Sequence, residues 1–152
     1  MNMIELVTKF RFTIMRLGRS SFNHTSLAVM DFPSACCDDA SILLAEFLEE
    51  NGYININLIH GSNGGVQKEL KSHDWLLVGS IIVDITADQF DFKGYINAPV
   101  IVERESAFHD TFDQVNRGRA LDSERSMQRR GEFRTAYSVI KRALAEKNIA
   151  QV

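Results

Sequence analysis

The chain has 152 residues, a formal net charge of −3 and 45% hydrophobic residues, which predicts one soluble globular domain, 1–152, with a substantial core. This balance excludes the basic surface that nucleic-acid binding requires, and no apolar run is long enough to cross a membrane. Two adjacent cysteines, Cys36 and Cys37, are a poor disulfide framework and indicate a reducing compartment. We therefore expect a cytoplasmic protein without a signal peptide, and no metal or other cofactor.

The first predicted element is a helix over Asn2–Leu17, in which apolar residues recur every three or four positions and Gly18 provides the stop. Its expected role is packing. A polar segment, Ser20–Thr25, follows it and leads into Leu27–Met30, an apolar run that is too short to assign.

The second predicted helix carries both cysteines at its start. Pro33 disfavours helix at the residue before it, Ser34 is a good N-cap, and Asn51-Gly52 ends the helix. A thiol at a helix N-terminus meets unpaired backbone N–H groups and the positive end of the helix dipole, which favour the reactive thiolate. The pattern therefore predicts a nucleophilic cysteine, and a cysteine that only fills space in the core is the competing interpretation.

Three strands, a loop and a turn are predicted next. Tyr53–His60 alternates apolar and polar residues, as a half-buried strand does, and Gly61–Gly65 is predicted to be a flexible loop. Two further apolar runs then flank Gly79-Ser80. A glycine in the first position of a two-residue loop suits a type II′ hairpin turn, so these runs are predicted to pair.

This hairpin has a chemical consequence. If Val78 faces Ile81, then Trp75 lies opposite Asp84, and His73 falls on the same face of the sheet. A carboxylate in an apolar strand costs on the order of several kcal/mol when it is buried without a partner. We therefore expect Asp84 to pair with His73, and the alternative is an Asp84 that faces water at a strand end.

The last part of the chain has fewer signals. Pro99–Val102 is predicted to be a strand with a leading proline. His109 and Asp113 have the spacing of one helical turn, but a solvated face is the preferred interpretation. Glu132–Lys147 is predicted to be a final amphipathic helix.

The order of cysteine, histidine and aspartate resembles that of the papain-like and transglutaminase-like cysteine enzymes, and more distantly that of the lasso-peptide leader peptidases. The resemblance rests on Phe32–Ser41 and His73–Phe90. These segments match small bacterial proteins with Phe-Pro-x-x-x-Cys-x-x-x-Ser and His-x-Trp-Leu…Ile-Val-Asp-Ile-Thr-Ala-Asp-Gln-Phe. The resemblance covers roughly 32–109 and implies an α+β papain/transglutaminase-like fold. In this fold N-terminal helices, the cysteine helix among them, pack on an antiparallel β-sheet.

The resemblance also implies roles for single residues. Cys37 is the nucleophile, His73 the base and Asp84 the orienting acid of a catalytic triad. Cys36 falls where the pattern tolerates other residues and is interpreted as packing. Trp75 and Cys36 are the candidate substrate contacts.

The implied function is that of a cysteine-dependent amide hydrolase, a peptidase or a protein glutamine deamidase, which acts on a protein or peptide through an acyl-enzyme. A transglutaminase-type acyl transferase would use the same residues. Asp38 and Asp39 follow the cysteine where the family more often has glycine, and their charges favour a third alternative, an inactive binding or scaffold protein. The expected oxyanion donors are the N–H of Cys37 and a side chain from Ser20–Thr25.

Overall fold

The computed structural model describes residues 1–22, 32–34 and 36–150, with side chains up to residue 146. The α-helices are α1 (Met3–Leu17), α2 (Cys37–Glu50), α3 (Ala107–Asp110), α4 (Glu124–Gln128) and α5 (Arg130–Ala150). The strands are β1 (Ile56–Gly64), β2 (Leu70–Val78), β3 (Ile81–Asp84), β4 (Ile101–Glu103) and β5 (Asp113–Arg119). The segment Leu27–Met30 and the second half of Ser20–Thr25, 23–25, lie outside the described residues.

The five strands form one antiparallel sheet in the order β4-β3-β2-β1-β5. This confirms the α+β class and the antiparallel sheet that the sequence predicts. The predicted hairpin is also confirmed, because Val78 pairs with Ile81 and Leu76 with Val83. Gly79 has φ +59°, the left-handed conformation that favours glycine at this turn position.

The two faces of the sheet are covered differently. Side chains such as Leu58, Leu76 and Val83 belong to the main core together with residues of α1, α2 and α5, and we call this the helix face. Ile59 and Trp75 point the other way into a smaller cluster of mostly aromatic side chains, the aromatic face. Because side chains alternate along a strand, β2 supplies residues to both faces in turn.

The helix starts follow the sequence in one case and depart from it in the other. Asn2 caps α1, accepting a hydrogen bond from the N–H of Glu5, as the predicted bounds require. In α2 the N-cap position is occupied by Cys36, which makes no side-chain cap bond, so the prediction of Ser34 as N-cap is wrong. Cys37 is consequently the first residue of α2.

The predicted loop Gly61–Gly65 is mostly strand, because β1 continues to Gly64 and pairs with both β2 and β5. Its glycines have a packing reason. A Cβ at Gly61 would clash with the rings of Trp75 and Phe112, and one at Gly64 would overlap the Phe112 ring. Close packing of aromatic rings on the backbone, and not flexibility, accounts for this composition.

The C-terminal part differs from the prediction mainly in β5. Every residue of β5 is exposed and most are polar, so this edge strand lacks the apolar alternation by which strands are recognised. The predicted strand at Pro99–Val102 is β4, which begins only at Ile101, and the predicted last helix is α5. Among the described residues, no helix combines the length and apolar character that crossing a membrane requires.

Candidate active site

Strands β2 and β3 bring His73 and Asp84 together on the aromatic face. His73 Nε2 lies 2.6 Å from Asp84 Oδ2, and both side chains are buried. The other carboxylate oxygen, Oδ1, accepts hydrogen bonds from the backbone N–H and the hydroxyl of Thr86, at 2.8 and 3.3 Å. The predicted pairing of Asp84 with His73 is therefore present, and the alternative of a solvated Asp84 is wrong.

A second histidine shares the same carboxylate oxygen. His109, in α3, is fully buried, and its Nε2 lies 2.7 Å from Asp84 Oδ2. Its other ring nitrogen, Nδ1, lies 2.6 Å from the hydroxyl of Ser106. The interpretation of His109 as a solvated residue is thus wrong. We call His73, Asp84 and His109 the buried histidine–aspartate cluster.

Aromatic side chains enclose this cluster. The rings whose centroids lie within 6.4 Å of the His73 ring are those of Trp75, Phe90, Phe108, Phe112 and His109. Such an enclosure excludes water and strengthens every hydrogen bond within it. It also explains why the polar groups are all paired, since a buried polar atom without a partner is costly.

The charge of the cluster resides on Asp84. Burial by itself raises the pKa of this carboxyl, but the positive potential of His73 and the hydrogen bonds from His109 and His73 outweigh it. The net result is a pKa below the ordinary range, so Asp84 is an anion. An ionised carboxylate only accepts hydrogen bonds, which places a proton on Nε2 of each histidine.

The same three side chains offer metal-ligand atoms within 4.8 Å of one another. Two imidazoles and a carboxylate are suitable zinc ligands, but two ligand atoms on one tetrahedral zinc lie roughly 3.4 Å apart. The separations from Asp84 Oδ2 to the two Nε2 atoms are 2.6 and 2.7 Å, which are hydrogen-bond distances. The residues present therefore fit a hydrogen-bonded network better than a metal site.

Gln89 is a further polar residue at this site. Its Nε2 donates to the carbonyl oxygen of Thr86 at 2.9 Å and lies 3.4 Å from Nδ1 of His73. Because Nε2 of His73 is used by Asp84, Nδ1 is the ring nitrogen that remains for proton exchange. Nδ1 also faces the Gln89 amide, at the long end of hydrogen-bond distance.

Cys37 lies at the start of α2 and is half-buried. Burial raises its pKa well above the usual range, and the carboxylates of Asp74, Asp38 and Asp84 add to this, while a hydrogen bond from the backbone N–H of Asp74 acts in the opposite direction. Burial and these carboxylates thus oppose the thiolate that a helix N-terminus favours, and a nucleophilic Cys37 stays a prediction. No hydrogen bond joins Cys37 to His73 within the described part of the chain.

Cys37 lies near the backbone of β2 at Asp74. The N–H of Asp74 belongs to the peptide group that joins His73 to Asp74, so the thiol approaches β2 at the residue after the histidine. The imidazole of His73 extends from the same stretch of strand toward the aromatic face. The structure thus brings His73 and Asp84 into direct contact, with Cys37 beside the backbone of this pair.

The two candidate substrate contacts are both buried. Cys36 is completely covered in the main core, as its packing interpretation requires, and burial raises its pKa to about 12. Trp75 is 1% exposed, and its ring lies 4.7 Å from that of His109, centroid to centroid. A contact of either residue with substrate stays a prediction.

An open cleft lies on the helix face near the start of α2. It has a volume of about 580 Å³, and Asp38, His60, Asp74 and Arg125 are among its lining residues. Asp74 Oδ1 lies 2.6 Å from Nδ1 of His60, which forms a second histidine–aspartate pair on this side of β2. The cleft thus reaches the first turn of α2, where Asp38 follows Cys37.

The two acidic residues after Cys37 have different environments. Asp39 is fully buried and forms an ion pair through both carboxylate oxygens with Arg125, whose Nη2 lies 3.0 Å from Oδ2. Asp38 is partly exposed in the cleft and lies 3.2 Å from the same guanidinium. Asp39 is thus neutralised by a structural partner, and Asp38 is the one of the two carboxylates that lines the cleft.

Sequence reasoning missed His109, Ser106 and Gln89 as site residues. One local signal existed: Ser106 precedes His109 by three residues, the spacing of an N-cap and the amide it binds, and that bond is present at 3.3 Å. It marks the start of a short helix, but not where the helix points. Comparisons of the chain with protein-family models, with curated proteins and with solved structures find no match.

Proposed function

We propose that the protein is a cysteine-dependent amide hydrolase, a peptidase or a protein glutamine deamidase, with a papain/transglutaminase-like fold. Cys37 is the nucleophile, His73 its base and Asp84 the group that orients the base. The observation that carries the proposal is the 2.6 Å hydrogen bond between His73 Nε2 and the buried Asp84 carboxylate. The effect of the backbone N–H of Asp74, the residue after His73, in lowering the pKa of Cys37 supports it further, because it places the sulfur near β2.

In the proposed reaction the Cys37 sulfur attacks the carbonyl carbon of an amide while Nδ1 of His73 accepts the thiol proton. The C–N bond then breaks, and His73 returns the proton to the leaving amine or ammonia, which leaves a thioester on Cys37. Water attacks this thioester with His73 again as base, and the acid and the free thiol are released. The backbone N–H of Cys37, at the start of α2, is the proposed donor to the oxyanion.

The raised pKa of Cys37 determines how the thiol is activated. Because burial and neighbouring carboxylates keep the resting thiol protonated, the proton leaves as the substrate is attacked and not before. Catalytic hydrogen bonds are often long in resting enzymes and tighten when substrate binds, so the contact from Cys37 to His73 is expected to form in the complex. Asp84 holds Nε2 of His73 throughout, which keeps Nδ1 available.

The experiment is acylation of Cys37 by p-nitrophenyl acetate, followed by release of p-nitrophenolate and by mass spectrometry of the acetylated peptide. We expect a burst of product and an acetyl group on Cys37. His73→Ala should slow acylation by about 10³-fold or more, the scale on which triad members act. His60→Ala is the matched control, because His60 also pairs with an aspartate near Cys37 but plays no part in the proposed triad.

Three results would contradict the proposal. Acetylation at Cys36 in place of Cys37 would identify Cys36 as the nucleophile. Loss of acylation in His60→Ala but not in His73→Ala would identify His60 as the base. An unreactive Cys37 in a folded protein would favour the binding or scaffold alternative. Once acylation is established, glutamine-containing peptides separate the reactions: ammonia release indicates a deamidase, a new amino terminus a peptidase, and incorporation of an added amine a transferase.

A further inference from the structure

We infer that His109 is a positioning residue of the same site, which holds Asp84 in line with His73 through a second hydrogen bond to the oxygen that His73 uses. Because His109 acts through His73, this role rests on the proposed function. The observation behind it is the geometry at Asp84 Oδ2, where the Nε2 atoms of His73 and His109 lie at 2.6 and 2.7 Å. One carboxylate oxygen serves two imidazoles, although a triad needs only one.

His109 is itself held by Ser106, which contacts the ring nitrogen that does not face Asp84. Ser106 caps α3 by accepting the N–H of His109, and the same hydroxyl lies 2.6 Å from Nδ1 of the ring. Helix α3 has only four residues, so its own backbone bonds contribute little stability. Helix α3 thus places the fully buried imidazole of His109 against Asp84.

A packing role alone does not account for an imidazole at this position. An apolar side chain of similar size would fill the space beside Trp75 and Phe108 without the cost of burying two polar nitrogens. His109 satisfies both nitrogens, and one of the two bonds goes to the carboxylate that orients the base. This hydrogen bond can fix the orientation of the Asp84 carboxylate, which packing alone would not do.

The consequence is a carboxylate that cannot rotate. Thr86 fixes Oδ1 of Asp84 from one side, and His109 fixes Oδ2 from the other. When His73 accepts the proton of Cys37, the new imidazolium keeps its Nε2–H on Oδ2 while Asp84 remains an anion. His73 therefore keeps Nδ1 in one orientation during attack, and loss of His109 releases this constraint.

The experiment compares His109→Leu, which removes the donor, with His109→Gln, whose amide N–H can reach the same oxygen. Both are followed by the rate of Cys37 acylation by p-nitrophenyl acetate across a pH series and by the melting temperature. Removing an orienting carboxylate costs about 10⁴-fold in a serine protease, and His109 acts one bond further out, so we expect about tenfold slowing in the leucine variant. The glutamine variant should stay within about threefold of the wild type, because it keeps the hydrogen bond.

A second comparison uses the His73→Ala background, in which His109→Leu should cause no further slowing because the two residues act as one unit. Equal slowing in the leucine and glutamine variants, in step with their melting temperatures, would overturn the role and leave packing alone. Should the leucine variant fail to fold, Ser106→Ala is the milder test, and unchanged acylation there would count against the role. If His73→Ala alone has no effect, the proposed function fails. If His73→Ala slows acylation but the His109 variants do not, this inference fails and the proposed function stands.

Discussion

Substitution of Asp84 by asparagine tests the buried histidine–aspartate cluster directly, because it keeps the size of the side chain and removes its charge. In the Asp84→Asn variant the amide oxygen would still accept from Thr86, but an uncharged NH₂ donor would replace the acceptor oxygen that both imidazoles use, and each ring would have to change tautomer to meet it. Two charge-assisted hydrogen bonds are lost, at 2.6 and 2.7 Å in the wild type, each worth about 1.5–3 kcal/mol. Breaking a buried pair by removing one partner typically costs about 3–5 kcal/mol, which for a chain of this length lowers the melting temperature by about 10 °C.

The assay is urea unfolding followed by circular dichroism, with Asp122→Asn as the matched control. Asp122 pairs with Arg119 at 2.9 Å, but its side chain is 61% exposed, so the loss of this pair should change the free energy of unfolding by less than about 0.5 kcal/mol. An Asp84→Asn protein that unfolds within about 1 kcal/mol of the wild type would refute the reasoning, because the cluster would then hold no net stabilising charge.

The same variant predicts a pH dependence. In the folded protein the pKa of Asp84 is lowered below its ordinary value, with the positive potential of His73 and the histidine hydrogen bonds outweighing burial. The stabilisation is therefore fully present above the unfolded value of about 3.9 and is lost as the pH falls from there toward the folded pKa. The difference in unfolding free energy between wild type and variant should be constant above about pH 5 and shrink in more acidic buffer. A difference that grows on acidification would contradict this sign.

Three further predictions concern the surroundings of the cluster. The Asp38 carboxylate adds to the effects of burial and Asp74 in raising the pKa of Cys37, so Asp38→Asn should speed iodoacetamide labelling of Cys37 at mildly alkaline pH by roughly threefold. Unchanged or slower labelling would argue against it. Treatment with a chelator should alter neither the melting temperature nor the acylation rate, whereas a fall of several degrees would identify a bound metal. Gly64→Ala should lower the free energy of unfolding by about 1–3 kcal/mol because its Cβ overlaps the Phe112 ring, and calorimetry checks this.

Part of the site could be predicted because it depends on local geometry. The glycine at position 79 fixes the turn, the turn fixes the register, and alternation along the strands then puts His73 and Asp84 on one face. Burial of a carboxylate between apolar neighbours required a partner, and His73 was the nearest one. Each step uses neighbours in sequence or across one hairpin, which is why the bond of 2.6 Å could be anticipated.

The contribution of His109 could not be obtained in this way. It lies 25 residues beyond Asp84, in a helix of four residues, and its position depends on packing against Trp75 and Phe108. Strand β5 was missed for a related reason, since an exposed edge strand needs no apolar alternation. The glycines of β1 indicated a loop because the rings that pack on them come from elsewhere in the chain.

The alternation of side chains along β2 also explains how one strand contributes both to the buried histidine–aspartate cluster and to the open cleft. His73 and Trp75 extend into the aromatic face, where exclusion of water strengthens the bonds to Asp84. Asp74, between them, extends toward the cleft and raises the pKa of Cys37 with its carboxylate, while its backbone N–H stabilises the sulfur. A substrate cation or dipole bound at the Asp74 carboxylate would reduce the effect of that carboxylate on the pKa of Cys37. It would not disturb the backbone N–H of Asp74 that stabilises the sulfur. Under the proposed mechanism, binding on the helix face would thereby ease removal of the thiol proton, and transfer of that proton requires the contact between Cys37 and Nδ1 of His73 to form in the complex.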